Sequence, residues 1–292
     1  MKFRIYLELG IYDLGFSIMD YEIKIKPIKT NFYLNLKELW DYRELFYIFA
    51  WRDIKVRYKQ TVLGIAWVVF QPLVSMFVFT VFFGNFAKIP SGNLPYPLFV
   101  LCGLVFWTFF STALSSASSA LISNENIIKK VYFPKVILPL STIVTASIDF
   151  AISIILLFAV GLYFKFMPPL LTLLVVFIGY FISFMTASGL GLFFSAINVK
   201  YRDVRYIIPF FIQLLLFLTP VIYPTSIVKS SSKFLFILNP MAAVIESVRG
   251  VISGNLNIDF LGLGIATLIS LVIFFFGLAF FNATEKFFAD VI

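Results

Sequence analysis

Residues 170–197 read LLTLLVVFIGYFISFMTASGLGLFFSAI and lie within 34 consecutive uncharged residues between Lys165 and Lys200. A helix needs about 20 apolar residues to cross the hydrocarbon core of a bilayer, so this stretch is long enough to span one. Transmembrane barrels show short alternating segments instead, which argues against strands here. The stretch therefore predicts a transmembrane helix.

Similar runs recur along the chain. Four more uncharged runs contain 28, 36, 23 and 25 residues, and a further apolar stretch is interrupted only by Asp149. Together they predict an all-α integral membrane protein with six transmembrane helices. The predicted spans are 62–87, 98–122, 142–164, 170–197, 206–223 and 260–283.

The composition supports a membrane protein and excludes several kinds of catalytic site. Hydrophobic residues make up 61% of the 292 residues and charged residues 13%, against about 45–50% and about 25% in soluble domains. The chain has no His and a single Cys, Cys102. Ser–His–Asp triads, His-ligated metals and an internal disulfide are therefore excluded. We predict no catalytic residue and no metal site.

Lys and Arg are distributed unevenly between the two sets of loops. Of the 23 basic residues, 18 fall before the first span, in the loops 123–141 and 198–205, and after the last span, whereas 5 fall in the other loops. Loops rich in Lys and Arg stay in the cytoplasm. We therefore predict a multi-pass protein with both termini cytoplasmic and residues 1–35 as a cytoplasmic lead.

Residues 36–60 have the pattern of an amphipathic helix that lies on the membrane surface. Charged residues recur at steps of three, four or eight, and Trp40 and Trp51 suit the headgroup zone. Arg52 belongs to this row of charged residues, and Arg57 is a further candidate residue of the predicted interfacial helix. It serves either as a simple anchor or also as a surface for a cytoplasmic partner.

The loop 123–141 is too apolar for an ordinary solvated loop. Charges alternate with Ile, Val, Tyr and Phe before Pro134 and Pro139 mark the return to the bilayer. A short exposed helix that carries aromatic residues is a candidate docking surface. The alternative is a loop that rests on lipid headgroups.

Three polar or small-residue patterns lie within the spans. Asp149 is a functional candidate, because an uncompensated carboxylate in a bilayer is costly, unless it is hydrated or paired with a nearby Lys. The four-residue spacing of Gly179, Ser183, Ala187, Gly191 and Ser195 favours close helix packing over pore lining. The second span carries hydroxyls that either join helices or face a polar passage, at Thr108, Ser111, Thr112, Ser115, Ser116, Ser118 and Ser119.

The stretch 224–257 is apolar although the charge distribution places it outside. Pro220, Pro224 and Pro240 break any single helix. Two short re-entrant helices before the last span fit this pattern, and such structure requires protein or a water-filled cavity beside it. The stretch is therefore a candidate outer gate, in which Glu246 and Arg249 are spaced to form an ion pair.

The sequence also lacks a nucleotide-binding loop. No Gly is followed by Lys anywhere, which excludes the phosphate-binding G-x-x-x-x-G-K-[ST] motif. If the chain transports cargo uphill, another subunit must supply the energy.

Several short motifs occur in an order typical of one membrane family. They are Arg57–Trp67 (RYKQTVLGIAW), Gln71-Pro72-Leu73, Val131–Pro134, Tyr201–Val204, Thr219–Pro224, and Asn239-Pro240 with Arg249. Over about residues 20–292, the chain resembles ABC-2-type permeases that export bacterial cell-surface polysaccharides. The similarity is greatest to the O-antigen and teichoic-acid exporters.

This resemblance implies an assembly in the bacterial plasma (inner) membrane. It implies two copies of the permease, whose residues 61–292 would form the six-helix domain, and two copies of a cytoplasmic ABC ATPase. ATP and Mg would bind to the ATPase, and this chain would carry no cofactor. The cargo would be a lipid-linked polysaccharide in contact with membrane lipids, and no nucleic acid is implied.

The resemblance also implies roles for particular residues. Coupling to the ATPase would involve Glu125, Asn126, Lys129, Lys130, Tyr132, Phe133, Pro134 and Lys135. The outer gate would contain Pro220, Pro224, Asn239, Pro240, Glu246 and Arg249. Aromatic residues that could line a sugar passage are Trp67, Phe70, Trp107 and Tyr223.

Three other functions compete with polysaccharide export. The first is an ABC-2 exporter of drugs or small lipids. The second is a membrane-embedded transferase, which requires clustered acids or a nucleophile–base pair that the sequence does not show. The third is an ion-driven carrier, for which Asp149 is the one candidate group.

Overall fold

The computed structural model describes residues 36–59, 64, 66–166, 169–201, 203–227, 236–254 and 259–291. These residues form helices and connections without strands, which confirms the predicted all-α membrane fold. The predicted cytoplasmic lead, 1–35, lies outside the described residues.

The α-helices of the described residues follow one another along the chain from α1 to α10. They are α1 Leu36–Asp41, α2 Arg43–Lys59, α3 Ala66–Phe79, α4 Tyr96–Ser123, α5 Glu125–Ile128, α6 Ile137–Tyr163, α7 Leu171–Lys200, α8 Val204–Leu218, α9 Pro240–Ile252 and α10 Phe260–Val291. A π-helix, Thr80–Phe86, continues α3, and a 3-10 turn, Thr225–Ile227, follows α8.

Within the described part of the chain, five helices are long and apolar enough to cross a membrane. They are Ala66–Phe86, Tyr96–Ser123, Ile137–Tyr163, Leu171–Lys200 and Phe260–Lys286. The remaining predicted span, 206–223, corresponds to α8, which has 15 residues and is about 22 Å long. It ends early because Thr219 is extended and Pro220 follows without a backbone N–H.

The predicted interfacial helix 36–60 is two helices rather than one. The break lies at Tyr42, and Arg43 Nη1 donates to the carbonyl of Trp40 at 3.1 Å, which satisfies an acceptor at the end of α1. The side chains of Trp40 and Trp51 are exposed, whereas α2 packs on α6. The helix α2 is therefore packed against the bundle on one side and exposed on the other.

The helix α4 is the centre of the bundle. In its most apolar window 78% of the residues are buried, against 6% for the first span. Helices α6 and α7 cover most of α4, and α3, α8 and α9 cover the rest. The core of the bundle is therefore α4, which neighbouring helices cover. The first span, in contrast, leaves most of its own surface uncovered by this chain.

Small residues set the distances between helices, as the four-residue spacing on α7 predicts. A Cβ atom on Gly179 would lie 2.8 Å from Val244, and one on Gly191 would lie 2.7 Å from the Cβ of Ala117. Packing rather than pore lining is therefore the role of these two glycines. A still closer contact, which the spacing does not reveal, joins Gly189 of α7 to Gly277 of α10.

Candidate functional site

One face of the loop between α4 and α6 is exposed. The side chain of Tyr132 is 69% exposed and that of Val131 is 54% exposed. Lys129 Nζ lies 2.5 Å from Glu125 Oε1, and both side chains are nearly half exposed. Such an exposed pair contributes little to stability, so its charges can serve a docking surface. The exposed residues of this loop face are Asn126, Lys129, Lys130, Val131 and Tyr132.

The opposite side of the same loop is attached to α2 and α10. Phe133 is buried, and its ring centre lies 5.7 Å from that of Phe49 in α2. The backbone N–H of Lys135 donates to Glu285 Oε1 at 2.9 Å, and Lys135 Nζ donates to the carbonyl of Glu285 at 3.2 Å. The Lys135 ammonium also lies 5.8 Å from the ring centre of Phe288. A displacement of the loop is therefore transmitted to both helices.

The predicted coupling residues thus fall into two groups. Glu125, Asn126, Lys129, Lys130 and Tyr132 lie on the exposed side, whereas Phe133, Pro134 and Lys135 are buried or half-buried. Sequence reasoning missed Phe49 and Glu285 as their anchors. The only signal for Glu285 is that it is the first charge after the last uncharged run. The coupling role itself stays a prediction.

The Glu285→Ala variant is expected to loosen the loop. It removes the carboxylate that accepts the Lys135 N–H, a hydrogen bond to a charged group worth about 1.5–3 kcal/mol. We expect trypsin to cleave after Lys129, Lys130 and Lys135 roughly tenfold faster in the folded variant.

Glu285→Gln is the matched control, because its amide oxygen still accepts this hydrogen bond. Cleavage at the parental rate in Glu285→Ala would show that the loop is held without Glu285. Digestion in detergent at fixed protease concentration, followed by mass spectrometry of the fragments, measures the rates.

At the other end of α4, Arg249 of α9 is buried, with 4% of its surface exposed. Its Nε donates to the carbonyl of Phe99 at 3.0 Å. Its Nη1 and Nη2 donate to the carbonyls of Pro220 and Val221, each at 2.6 Å. The guanidinium carbon also lies 3.5 Å from the centre of the Phe99 ring. One side chain therefore joins α9, α4 and the break after α8.

Two further predicted gate residues join the same break. Glu246 Oε1 accepts from the backbone N–H of Thr225 at 3.1 Å and lies 3.8 Å from Arg249 Nη1, which confirms the predicted ion pair. Asn239 Oδ1 accepts a backbone N–H of α9 at 3.1 Å, and its Nδ2 donates to Thr219 Oγ1 at 2.9 Å.

The structure describes only part of the rest of the predicted gate. Pro240 is the first residue of α9, and Pro224 lines a cavity of about 430 Å³ together with Glu246 and Arg249. Residues 228–235 and 255–257 of the predicted gate lie outside the described residues. Gating by this region stays a prediction.

Asp149 lies where α6 meets the end of α2. Its Oδ2 accepts from Arg57 Nη1 and its Oδ1 accepts from the Tyr58 hydroxyl. Burial, and then the hydrogen bond to Asp149, raise the pKa of the Tyr58 phenol, so the hydroxyl remains a donor even at alkaline pH. The carboxylate is therefore paired with an Arg of the interfacial helix and not with a Lys.

The four aromatic residues predicted to line a passage are in different surroundings. Trp67 and Phe70 are half exposed on α3, with ring centres 5.8 Å apart. Trp107 is buried in the core, and the hydroxyl of Tyr223 donates to the carbonyl of Phe217 at 2.7 Å. Of the four, Trp67 lines a cavity of about 590 Å³ that also contains Asp149. Their part in transport stays a prediction.

Several known proteins are similar to this chain in sequence. Residues 44–253 match the ABC-2 type transporter family. The O-antigen export system permease protein RfbA of Myxococcus xanthus is 29% identical over 219 residues, which is 74% of this chain and 83% of that protein. A protein of the same name from Klebsiella pneumoniae is 28% identical over 259 residues, 88% of this chain and 97% of that protein.

A more distant relative is the polysialic acid transport protein KpsM of Escherichia coli. It is 22% identical over 243 residues, which is 80% of this chain and 91% of that protein. The family match runs from α2 to the end of α9 and so includes the exposed loop face, the Asp149 contact and the Arg249 contacts. The chain belongs to the ABC-2 type transporter family.

Proposed function

We propose that the chain is the transmembrane permease subunit of an ATP-driven exporter of lipid-linked cell-surface polysaccharide. It moves this cargo from the cytoplasmic to the outer face of the bacterial plasma membrane. The O-antigen and polysialic acid named in its relatives support a polysaccharide cargo. The permease itself is non-catalytic.

The observation that carries this proposal is the loop between α4 and α6. Its exposed side carries Tyr132, an aromatic residue of the kind enriched at protein interfaces, beside two Lys residues that can meet acidic groups of a partner. Its other side is attached to α2 and α10. A separate ATPase that binds the exposed side would therefore move two helices of the bundle together.

We propose an assembly of two permease subunits with two ATPase subunits, and the bundle offers uncovered apolar surface to the second permease copy. Phe77 on α3 is 66% exposed and Phe210 on α8 is 61% exposed. These helices offer apolar area for a second copy of the chain or for lipid tails. The exposed loop faces then lie in the cytoplasm, where ATP and Mg bind to the partner.

The Tyr132→Ala variant tests the docking role of the loop. We expect the fold of the permease to stay intact because Tyr132 is exposed, whereas loss of an interface aromatic typically costs about 2 kcal/mol or more of binding energy. We expect the affinity of the permease for the ATPase subunit to fall roughly 30-fold. Less ATPase should then co-purify with the permease, and the amount of surface polysaccharide should fall as well.

The matched control is Tyr163→Ala, which removes a Tyr that is 81% exposed at the other end of α6. It should retain both ATPase binding and export. Substantial ATP turnover by the purified permease alone would contradict the proposal. A deletion strain that accumulates no intracellular glycan, yet becomes sensitive to hydrophobic drugs, would instead favour a drug or small-lipid exporter.

A further inference from the structure

Two cavities lie along the same side of α4 and α6. The deep cavity, of about 590 Å³, is lined by Thr108 and Thr112 of α4 and by Asp149 and Ser153 of α6. The loop-side cavity, of about 530 Å³, continues along the same helices toward α5. Its polar lining residues from α4 and α6 are Ser116, Ser119, Ser123, Thr142 and Thr145. Both volumes are in the range of small-molecule sites, about 300–1,000 Å³.

The polar residues of the two cavities form two continuous rows. On α4, the lining residues from Thr108 to Ser123 follow at steps of four, four, three and four, which places them on one helix face. On α6, those from Thr142 to Ser153 follow at steps of three, four and four. Two polar rows therefore extend from the loop end of the bundle toward the middle of the bilayer.

Arg57 lies at the boundary of the two cavities. It is the residue that lines both of them, and its Nη1 donates to Asp149 of the deep cavity. Tyr58 donates to the same carboxylate from the deep side. The side chains of Arg57 and Asp149 remain 33% and 22% exposed, so the contact is reachable from the cavities.

The charges of the lining favour an uncharged ligand. The described charged residues of the two cavities are Arg52, Asp53, Arg57 and Asp149, whose formal charges cancel. A site for an anion such as a phosphate would carry an excess of positive charge. The described part of the lining offers no such excess.

The hydrogen-bonding capacity of the lining favours a ligand that carries many hydroxyl groups. Thr108 Oγ1 donates to its own helix at 2.7 Å, Thr145 Oγ1 at 3.1 Å and Ser153 Oγ at 2.9 Å. Each hydroxyl oxygen keeps acceptor capacity, which sugar hydroxyls can use as donors. In the deep cavity, Trp67 and Phe150 add aromatic rings on which a sugar ring can stack.

We propose that the Arg57–Asp149 contact is a gate between two halves of one groove, and that this groove takes uncharged glycosyl units from the loop end toward the middle of the bilayer. The identity of the cargo rests on the proposed function, whereas the groove and its gate rest on the two cavities. Breaking the contact joins the cavities and opens the deep half to water from the loop end.

Cysteine labelling tests the gate without any transport assay. Cys102 is the only Cys and is buried, so Cys102→Ala gives a silent background. Thr112→Cys reports on the deep cavity, about 16 Å along α4 from Ser123, and Ser119→Cys reports on the loop-side cavity, about 6 Å from it. Ile155→Cys is the control, because Ile155 is 70% exposed on α6 and lines neither cavity.

The probes are three thiosulfonates that carry glucose, a trimethylammonium group or a sulfonate, applied to the permease in nanodiscs. With Asp149→Asn or Arg57→Gln, we expect the glucose reagent to label Thr112→Cys roughly tenfold faster than with the gate intact, because the ion pair is lost. In the double variant Asp149→Asn/Arg57→Gln, where the remaining charges of Arg52 and Asp53 still cancel, the two charged reagents should remain slower at this site. Ser119→Cys should react at an unchanged rate, which shows that the variants are folded, and Ile155→Cys should stay unlabelled.

An unchanged Thr112→Cys rate in both gate variants would overturn the gate. Equal rates for the glucose reagent and a charged reagent in the charge-balanced double variant would overturn the uncharged ligand class. Labelling of Ile155→Cys as fast as Thr112→Cys would show that no groove is needed. The labelling experiment requires neither the ATPase nor the polysaccharide. If the gate variants label no faster while polysaccharide export is confirmed, the gate alone is refuted. If polysaccharide export is refuted instead, the labelling result for the gate still stands.

Discussion

Replacing Gly277 with alanine is expected to give one of the largest losses of stability that a single methyl group can cause in this protein. The new Cβ would lie 1.9 Å from the carbonyl oxygen of Gly189 in α7. The obstructing atoms are backbone, so α7 and α10 must separate. Overpacking of a core costs about 1–3 kcal/mol and occasionally more, and we expect at least the upper value.

Gly264→Ala is the matched control, because it adds the same methyl group to α10 where no atom lies within 4 Å. It should be neutral or stabilising by up to about 1 kcal/mol, since Ala has the higher helix propensity. Thermal unfolding in detergent measures the difference, with Gly277→Ala lower by roughly 10 °C. Equal midpoints for the two variants would show that the helices are not in contact at Gly189.

The Arg249→Ala variant is expected to release the break after α8. It leaves the carbonyls of Phe99, Pro220 and Val221 without their donor. A buried acceptor without a partner costs about 1–3 kcal/mol, so the total loss reaches about 4 kcal/mol. Lys cannot reproduce the planar fork of donors, and Arg249→Lys should therefore restore only part of the stability.

Cys102 is a natural reporter of this change. It is buried next to Gly103, where a Cβ would lie 2.9 Å from Arg249 Nη2. We expect N-ethylmaleimide to modify Cys102 at least roughly tenfold faster in Arg249→Ala. The region around Cys102 can then open without the cost of breaking the hydrogen bonds of Arg249. Arg205→Ala removes an exposed Arg of α8 and should leave the rate unchanged. A protected Cys102 in Arg249→Ala would show that other contacts hold the break.

The bilayer makes some features of this fold predictable from the sequence alone. The thickness of the hydrocarbon core converts uncharged runs directly into spans, and the helices Tyr96–Ser123 and Leu171–Lys200 follow from that measure. Spacing by four residues also predicts packing at Gly179 and Gly191, because such residues share one face of a helix. The pairing of Glu246 with Arg249 follows from the same geometry.

Contacts between distant parts of the chain leave no comparable pattern. Arg57 and Asp149 are 92 residues apart, and Lys135 and Glu285 are 150 apart. Arg57, Lys135 and Glu285 have the sequence context of ordinary surface charges, and the position of Asp149 within a span indicates that it needs a partner but not which one. Their meeting depends on which helices are neighbours, which apolar periodicity does not specify. The same holds for Gly189, which lies outside the four-residue row and meets its partner on α10.

The length of α8 cannot be predicted from hydropathy alone. Hydropathy continues past Leu218 to Tyr223, so a count of apolar residues extends the span. The backbone turns at Thr219 because Pro220 lacks an N–H and Arg249 donates to the buried carbonyls of Pro220 and Val221. Composition measures only the affinity of a segment for lipid, whereas the end of the helix is set by backbone hydrogen bonds.

The burial of α4 separates it from the lipid in a way that has a mechanical consequence. With 28 residues, α4 is about 42 Å long, well beyond a hydrocarbon core of about 30 Å. A lipid-facing helix of that length would have to tilt or deform the bilayer around it. Neighbouring helices surround α4 instead, so differences in membrane thickness act on the outer helices, and the central axis keeps its length and angle in thin and thick bilayers alike.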